Sequence, residues 1–219
     1  IKIASVANIY GPQKDILKEE IQNRINVQSD SRKIIAIGAS TGGTEAISYI
    51  LKELLVSTPG IVIVQHIPPV FSKKFAERLD ELTNLKVKEA QTGDYVQAGQ
   101  VFIAPGDQHM EIKKVGDHYK IKCFKGEKVS GHCPSVDVLF ESVAKEAGNN
   151  AIGVILTGMG YDGAKGLLSM RKTQARTIGQ DEKSAVVYGM PRAAYNIGAV
   201  EKQASLDNIP KLICSMLGA

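Results

Sequence analysis

The sequence predicts an α/β protein: a three-layer α/β/α, Rossmann-like arrangement around a mostly parallel sheet, with one antiparallel β-hairpin. Three observations carry that expectation. Short apolar runs such as IIAI at 34–37, IVIV at 61–64 and AIGVIL at 151–156 read as strands buried on both faces. Between them lie segments whose apolar residues recur at helical spacing. Pro-Gly, Gly-Asp and Gly-Asn pairs punctuate the junctions. The 219 residues, 43% hydrophobic and 23% charged, suffice for one full core.

Residues 1–30 stand apart from this rhythm. They hold no strong strand, and KDILKEEIQNRINVQSDSRK sets Leu17, Ile21 and Ile25 four apart, which predicts a linker carrying a short amphipathic helix. KIIAIG then leads as a strand into a helix over 44–55, with Ala46, Ile47, Ile50, Leu51 and Leu54 on one face. Pro59-Gly60 turns the chain into the strand IVIVQH. Ser72 is the expected N-cap of the next helix, with Phe75, Leu79 and Leu82 pointing inward. LKVKEA follows as a strand. QVFIAPG, HMEIKKV and HYKIKCF are strands divided by Pro105-Gly106 and Gly116-Asp117, where an antiparallel hairpin is expected. A polar loop over 125–135 precedes the helix Val136–Ala147, which Ser135 begins and Gly148-Asn149 ends. AIGVILTG, a helix over 164–173, the short strand ARTIG and two more helical segments complete the alternation.

Composition excludes several classes of function. A net charge of +4, with scattered Lys and Arg and only 5% aromatic residues, argues against nucleic-acid binding. Three cysteines, Cys123, Cys133 and Cys214, form no paired spacing and imply a reducing, cytoplasmic setting. No apolar run approaches the roughly 20 residues of a membrane span, and no signal peptide is visible. The chain begins at Ile1 rather than Met and is expected to be part of something longer.

In parallel sheets, ligands and reactive groups gather outside the carboxyl ends of the strands. Three such ends carry Ser40, His66 and, near the third, Asp162: the side-chain types of a nucleophile, a base and the acid that orients the base. Gly38-Ala39-Ser40-Thr41-Gly42 matches the G-x-S-x-G elbow, which lifts the hydroxyl clear of the sheet edge beside helix-start N–H groups. The plainer alternative is a tight turn in which Ser40 and Thr41 cap the helix. His66 ends an apolar strand, where a histidine is more often structural. His109, His118 and His132 stay open as other bases; the first two lie in the hairpin region and read as surface positions.

Asp162 belongs to a competing pattern. Gly158 to Gly163 spells G-x-G-x-x-G after a strand, with Asp181 and Glu182 about twenty residues on, as in a dinucleotide site. A carboxylate beside a pyrophosphate would repel it, which weighs against that reading. Tyr161 and Lys165 also match Y-x-x-x-K, a weak likeness to a dehydrogenase pair. A metal site has little support, since His132-Cys133 are adjacent and no H-E-x-x-H or cysteine pair occurs.

IIAIGASTGGTEAI, IVIVQHIPPVFSKKFAERLD, VFIAPGDQHM, GHCPSVDVLFESVA and AIGVILTGMGYDGAKGL, in that order, resemble the catalytic domain of the bacterial chemotaxis protein-glutamate methylesterases, the CheB family. QDEKSAVVYGMPRAAYNIGAV is similar to the family's closing segment, so the resemblance runs from about residue 32 to the C-terminus. It implies Ser40 as nucleophile, His66 as general base, Asp162 as its partner, and an oxyanion site that includes the Met159 N–H beside Thr41. His132 matches a loop histidine near the active site. The implied activity is hydrolysis of glutamate γ-methyl esters on the cytoplasmic helices of chemoreceptors, with deamidation of certain glutamines, and no metal or organic cofactor. It also implies that 31–219 is the catalytic domain, that 1–30 is an interdomain linker, and that a regulatory receiver domain belongs to the full-length protein.

Overall fold

The computed structural model describes residues 32–218; the linker and helix expected within 1–30 lie outside the described residues. In chain order the elements are β1 (Ile34–Ala39), α1 (Gly43–Glu53), β2 (Gly60–Gln65), α2 (Phe71–Leu82), β3 (Lys86–Glu89), β4 (Tyr95–Val96), β5 (Gln100–Ile103), β6 (His109–Val115), β7 (His118–Phe124), α3 (Val136–Ala147), β8 (Ala151–Ile155), α4 (Ala164–Lys172), β9 (Arg176–Gln180), α5 (Met190–Asn196), β10 (Lys202–Ala204) and α6 (Ile209–Leu217). Seven strands form one sheet in the order β10-β9-β8-β1-β2-β5-β3, with every neighbouring pair parallel.

The period of two along each strand builds the three layers. Ile35 and Ile37 of β1 and Ile61 and Ile63 of β2 join a core with α1, α2 and α6. Ile34, Ala36, Val62 and Val64 turn to the opposite face, where α3, α4 and α5 pack with β6 and β7. Each fully buried Ile or Val contributes about 1.5–3 kcal/mol relative to exposure. Gly38 explains how closely α3 approaches: a Cβ there would lie 2.2 Å from Val136 Cγ1 and 3.2 Å from Phe140 Cζ. Gly38→Ala is expected to destabilise the protein by about 1–3 kcal/mol, because Val136 is the first residue of α3 and cannot yield alone. Urea unfolding checks this; a change below about 0.5 kcal/mol would mean that α3 shifts freely.

The hairpin is β6–β7, with Val115 opposite His118 across Gly116-Asp117. QVFI, the first of the three runs where the hairpin is expected, lies outside it: β5 enters the parallel sheet between β2 and β3. Val101, Phe102 and Ile103 are all buried, as suits a strand covered on both faces. The hairpin instead pairs with the two-residue β4. β10 also has no signal in the sequence, because KQA is short and mostly exposed.

Two further expectations need correction. Ser72 is not the N-cap of α2; it lies inside the helix, and Val70 (φ 75°) precedes the first turn. The Ser72 hydroxyl is buried, donates to Glu89 Oε1 at 2.6 Å and accepts the Gly106 N–H at 3.0 Å. Leu82, expected inward with Phe75 and Leu79, is exposed at the end of α2. At α3 the expectations match: Ser135 stands at the N-cap and Gly148 (φ 52°) at the C-cap.

Candidate active site

The parallel register of β1 and β2 places Ala39 opposite Gln65. The next residues, Ser40 and His66, therefore emerge side by side at the carboxyl end of the sheet, one strand spacing of about 4.8 Å apart. The His66 N–H donates to the Ala39 carbonyl at 3.1 Å. The Gln65 amide, buried beneath them, donates to the Ser40 carbonyl at 2.9 Å and the His66 carbonyl at 3.1 Å. Ser40 is also tied to the β8 end, its N–H donating to the Thr157 carbonyl at 3.0 Å. Gly42, with φ 79°, carries the left-handed turn into α1, and no side-chain hydrogen bond caps that helix. Capping therefore does not account for Ser40 and Thr41. The left-handed backbone falls on Gly42 and not on Ser40, which is absent from the positive-φ residues.

His66 Nε2 lies 2.8 Å from Asp162 Oδ2. An ionised carboxylate only accepts, so Nε2 carries the proton and the neutral ring has its lone pair on Nδ1. Nδ1 is buried without a hydrogen-bond partner. Asp162 is only 1% exposed, yet its carboxylate is well satisfied. It accepts the Ser135 hydroxyl at 2.7 Å and the N–H groups of Val136 and Asp137 at 2.8 and 3.0 Å. It thus sits as an anion on the N-terminus of α3. Burial pushes its pKa up, but the His66 ring, these N–H groups and Ser135 outweigh that and hold it below the ordinary carboxylate value.

Several supporting residues escaped the sequence reading. Gln65 is one. Ser135 is legible as a helix start, but nothing local says that its hydroxyl reaches Asp162. Asp137, also buried, accepts the Gly166 N–H and the Ser130 hydroxyl, both at 2.8 Å. Burial and the nearby Asp162 charge push its pKa up, against those two hydrogen bonds. His109 corrects an expectation: it is buried, not a surface residue. Its Nε2 donates to the Glu127 carbonyl at 2.8 Å and its Nδ1 accepts the Ser135 N–H at 3.2 Å. His118 is exposed, as expected.

His132 lies flat on His66, with ring centroids 3.7 Å apart and planes inclined by 10°. Burial, the adjacent His66 and Lys128 lower its pKa, against an opposing pull from Asp162. A cleft of about 320 Å³ opens beside the pair, lined by Pro68, Asp107, Lys128 and Cys133 among others. A larger hollow of about 670 Å³ lies over α3 and β6, lined by Lys113, Lys145 and Lys165, away from Ser40. Gly158 abuts the serine: a Cβ there would lie 2.7 Å from Ser40 Cβ. Met159 follows it and is 72% exposed. Among the described residues the N–H groups of Thr41 and Met159 make no hydrogen bond. The Thr157 hydroxyl ties the two loops together, donating to the Thr41 carbonyl and accepting the Val187 N–H, both at 2.9 Å.

The dinucleotide pattern has its carboxylates committed elsewhere. Asp162 faces His66, and Asp181 accepts the Ser184 N–H at 3.0 Å and hydroxyl at 2.7 Å. Tyr161 and Lys165 are both exposed. Among the described residues no group of three or more His, Cys, Asp or Glu could hold a metal ion.

A family model described as CheB methylesterase matches residues 35–213. A protein-glutamate methylesterase/protein-glutamine glutaminase of Syntrophomonas wolfei is 54% identical over 217 residues, covering 99% of this chain and 63% of that protein. One from Salmonella typhi is 53% identical over 189 residues, covering 86% of this chain and 54% of its own length. The chain thus spans between about half and two thirds of these relatives. The crystal structure of the Thermotoga maritima CheB methylesterase catalytic domain superposes with a TM-score of 0.82 at 37% identity, covering 84% of this chain and 98% of that one.

Proposed function

The chain belongs to the CheB methylesterase family, and from that premise we propose that it hydrolyses glutamate γ-methyl esters on chemoreceptor helices, and deamidates certain receptor glutamines, with Ser40 as nucleophile. The observation that carries this reading is the His66 ring. It is held on Asp162 through Nε2 and keeps an unpartnered Nδ1, and His66 follows β2 directly where Ser40 follows the adjacent, parallel β1.

The chemistry follows from that geometry. Ser40 Oγ attacks the γ-carbonyl carbon while its proton passes to His66 Nδ1. Asp162 stabilises the imidazolium through the Nε2–H hydrogen bond. The carbonyl oxygen becomes an oxyanion facing the N–H groups of Thr41 and Met159. Collapse of this intermediate returns the Nδ1 proton to the departing oxygen and releases methanol, leaving an acyl ester on Ser40. Water, deprotonated by His66, cleaves that ester and yields the glutamate carboxylate. With a glutamine substrate the leaving group is ammonia.

In the serine proteases the acid holds Nδ1 and the serine meets Nε2. Here the roles of the two nitrogens are exchanged. Nδ1 lies closer to the backbone and suits a nucleophile on the adjacent strand, while Nε2 reaches outward to Asp162. The same reading makes 31–219 the catalytic domain in a cytoplasmic setting, and 1–30 a linker toward the receiver domain that the resemblance implies. No helix among the described residues is long and apolar enough to cross a membrane.

Labelling with a serine-directed phosphonate, followed by peptide mapping, tests the assignment. Stoichiometric modification of Ser40 is expected, together with methanol release from methylated receptor. Modification of another serine, or none, overturns it.

A further inference from the structure

His132 is separated from His66 by 66 positions, yet the structure takes care over where it stands. Val129 and His132 exchange two backbone hydrogen bonds, each of 3.0 Å. The two residues between them, Ser130 and Gly131, both have left-handed backbones, with φ of 52° and 84°. This is the two-residue reverse turn that needs positive φ at both central positions. Serine at such a position is costly, and its hydroxyl is anchored in return: it donates to Asp137 Oδ2 at 2.8 Å. Asp137 is the second residue of α3, whose N-terminus also receives Asp162. One short helix start therefore fixes both the acid at the tip of the His66 ring and the turn that covers its face.

The stacked rings are almost parallel, and 3.7 Å is van der Waals contact between two flat faces. Such a lid limits rotation of His66 about its side-chain torsions, so the ring cannot turn Nε2 away from Asp162 without breaking the stack. It also presents a π-face to the ring that becomes positively charged during the reaction. His132 has the lowered pKa described above, which suits a neutral face. Charge on both rings would repel.

We infer that His132 is a positioning residue: its ring, held by the Ser130–Asp137 hydrogen bond, stacks on His66 and keeps Nε2 on Asp162 and Nδ1 toward Ser40. This inference rests on the methylesterase reading. His132 transfers no proton, so a flat ring without nitrogens should replace it.

The test compares wild type with His132→Ala, His132→Phe and Ser40→Ala, reading kcat and KM for methanol release and the rate of phosphonate labelling at Ser40. In His132→Ala, kcat is expected to fall about 10- to 100-fold with KM within about twofold, since misplacing a catalytic group costs turnover before binding. Phosphonate labelling should slow in the same proportion, because it needs the Ser40–His66 pair but no receptor. His132→Phe should keep kcat within about threefold of wild type, because the stacking face remains. Three results overturn the inference: unchanged kcat in His132→Ala, a Phe variant as impaired as the Ala variant, or a loss confined to KM or absent from phosphonate labelling. A wild-type protein without ester hydrolysis, or a Ser40→Ala variant that keeps it, would instead strike the methylesterase reading itself.

Discussion

Replacing Ser40 with alanine is expected to lower methanol release from methylated receptor by about four to six decades. In a serine hydrolase the nucleophile acts as one unit with its base, and losing it leaves only the catalysis that binding and the oxyanion donors supply. The fold should not register the change. Ser40 is half-buried, and its three recorded hydrogen bonds, to Thr157, from Gly43 and from Gln65, all use backbone atoms of the serine. Stability should therefore stay within about 0.5 kcal/mol of wild type. The measurement is turnover on methylated receptor together with thermal unfolding. More than about a tenth of wild-type turnover would exclude Ser40 as the nucleophile.

Asp162→Asn is the second large effect, and it differs in kind because it should cost both activity and stability. The amide keeps shape but loses the charge that stabilises the His66 imidazolium, and its NH2 group favours the wrong tautomer. A loss of about two to four decades in turnover is expected. The same carboxylate accepts the Ser135 hydroxyl and two N–H groups at the start of α3. An amide can accept through only one oxygen, so about 1–3 kcal/mol of stability should go as well.

The pH dependence follows from the direction of the shift. The folded-state pKa of Asp162 lies below its ordinary value of 3.8, so the unfolded chain binds the proton more readily. Its contribution to stability is complete above pH 3.8 and is lost as pH falls through the folded value. Asp162→Asn should therefore destabilise the protein near neutral pH and narrow the gap to wild type in acid. Urea midpoints at pH 7 and pH 3 measure it. Unchanged ester hydrolysis in this variant would leave Ser40 and His66 acting without Asp162.

Much of the architecture could be read locally. The fully apolar runs at β1, β2 and β8, and the helical spacing of α1, α3 and α4, are properties of ten or fifteen consecutive residues. Gly38, Ser40 and Gly42 are legible for the same reason, since turn chemistry is local. The failures were those where partners decide. QVFI as a string cannot say whether it joins a hairpin or a parallel sheet, because both want β-branched and aromatic residues; burial on both faces drew it between β2 and β3. Ser72 satisfies the chemistry of an N-cap, but Glu89 and Gly106 take its hydroxyl from elsewhere in the chain.

The sequence by itself determined an α/β fold, the order of its helices and of its strands apart from the short β4 and β10, and a short set of candidate residues at strand ends. Residue types and spacing alone left four histidines open as the base and Asp162 divided between two patterns, and the family resemblance implied His66 and Asp162. Only the tertiary structure decided that His66 meets Asp162, that His109 is buried support for Ser135, and that His132 covers the His66 ring. The physical reason is range. Hydrophobic period and turn propensity act over a few residues, whereas a hydrogen bond spanning 96 positions exists only after the β1–β2 register and the α3 N-terminus have been brought together by burying the two faces of one sheet.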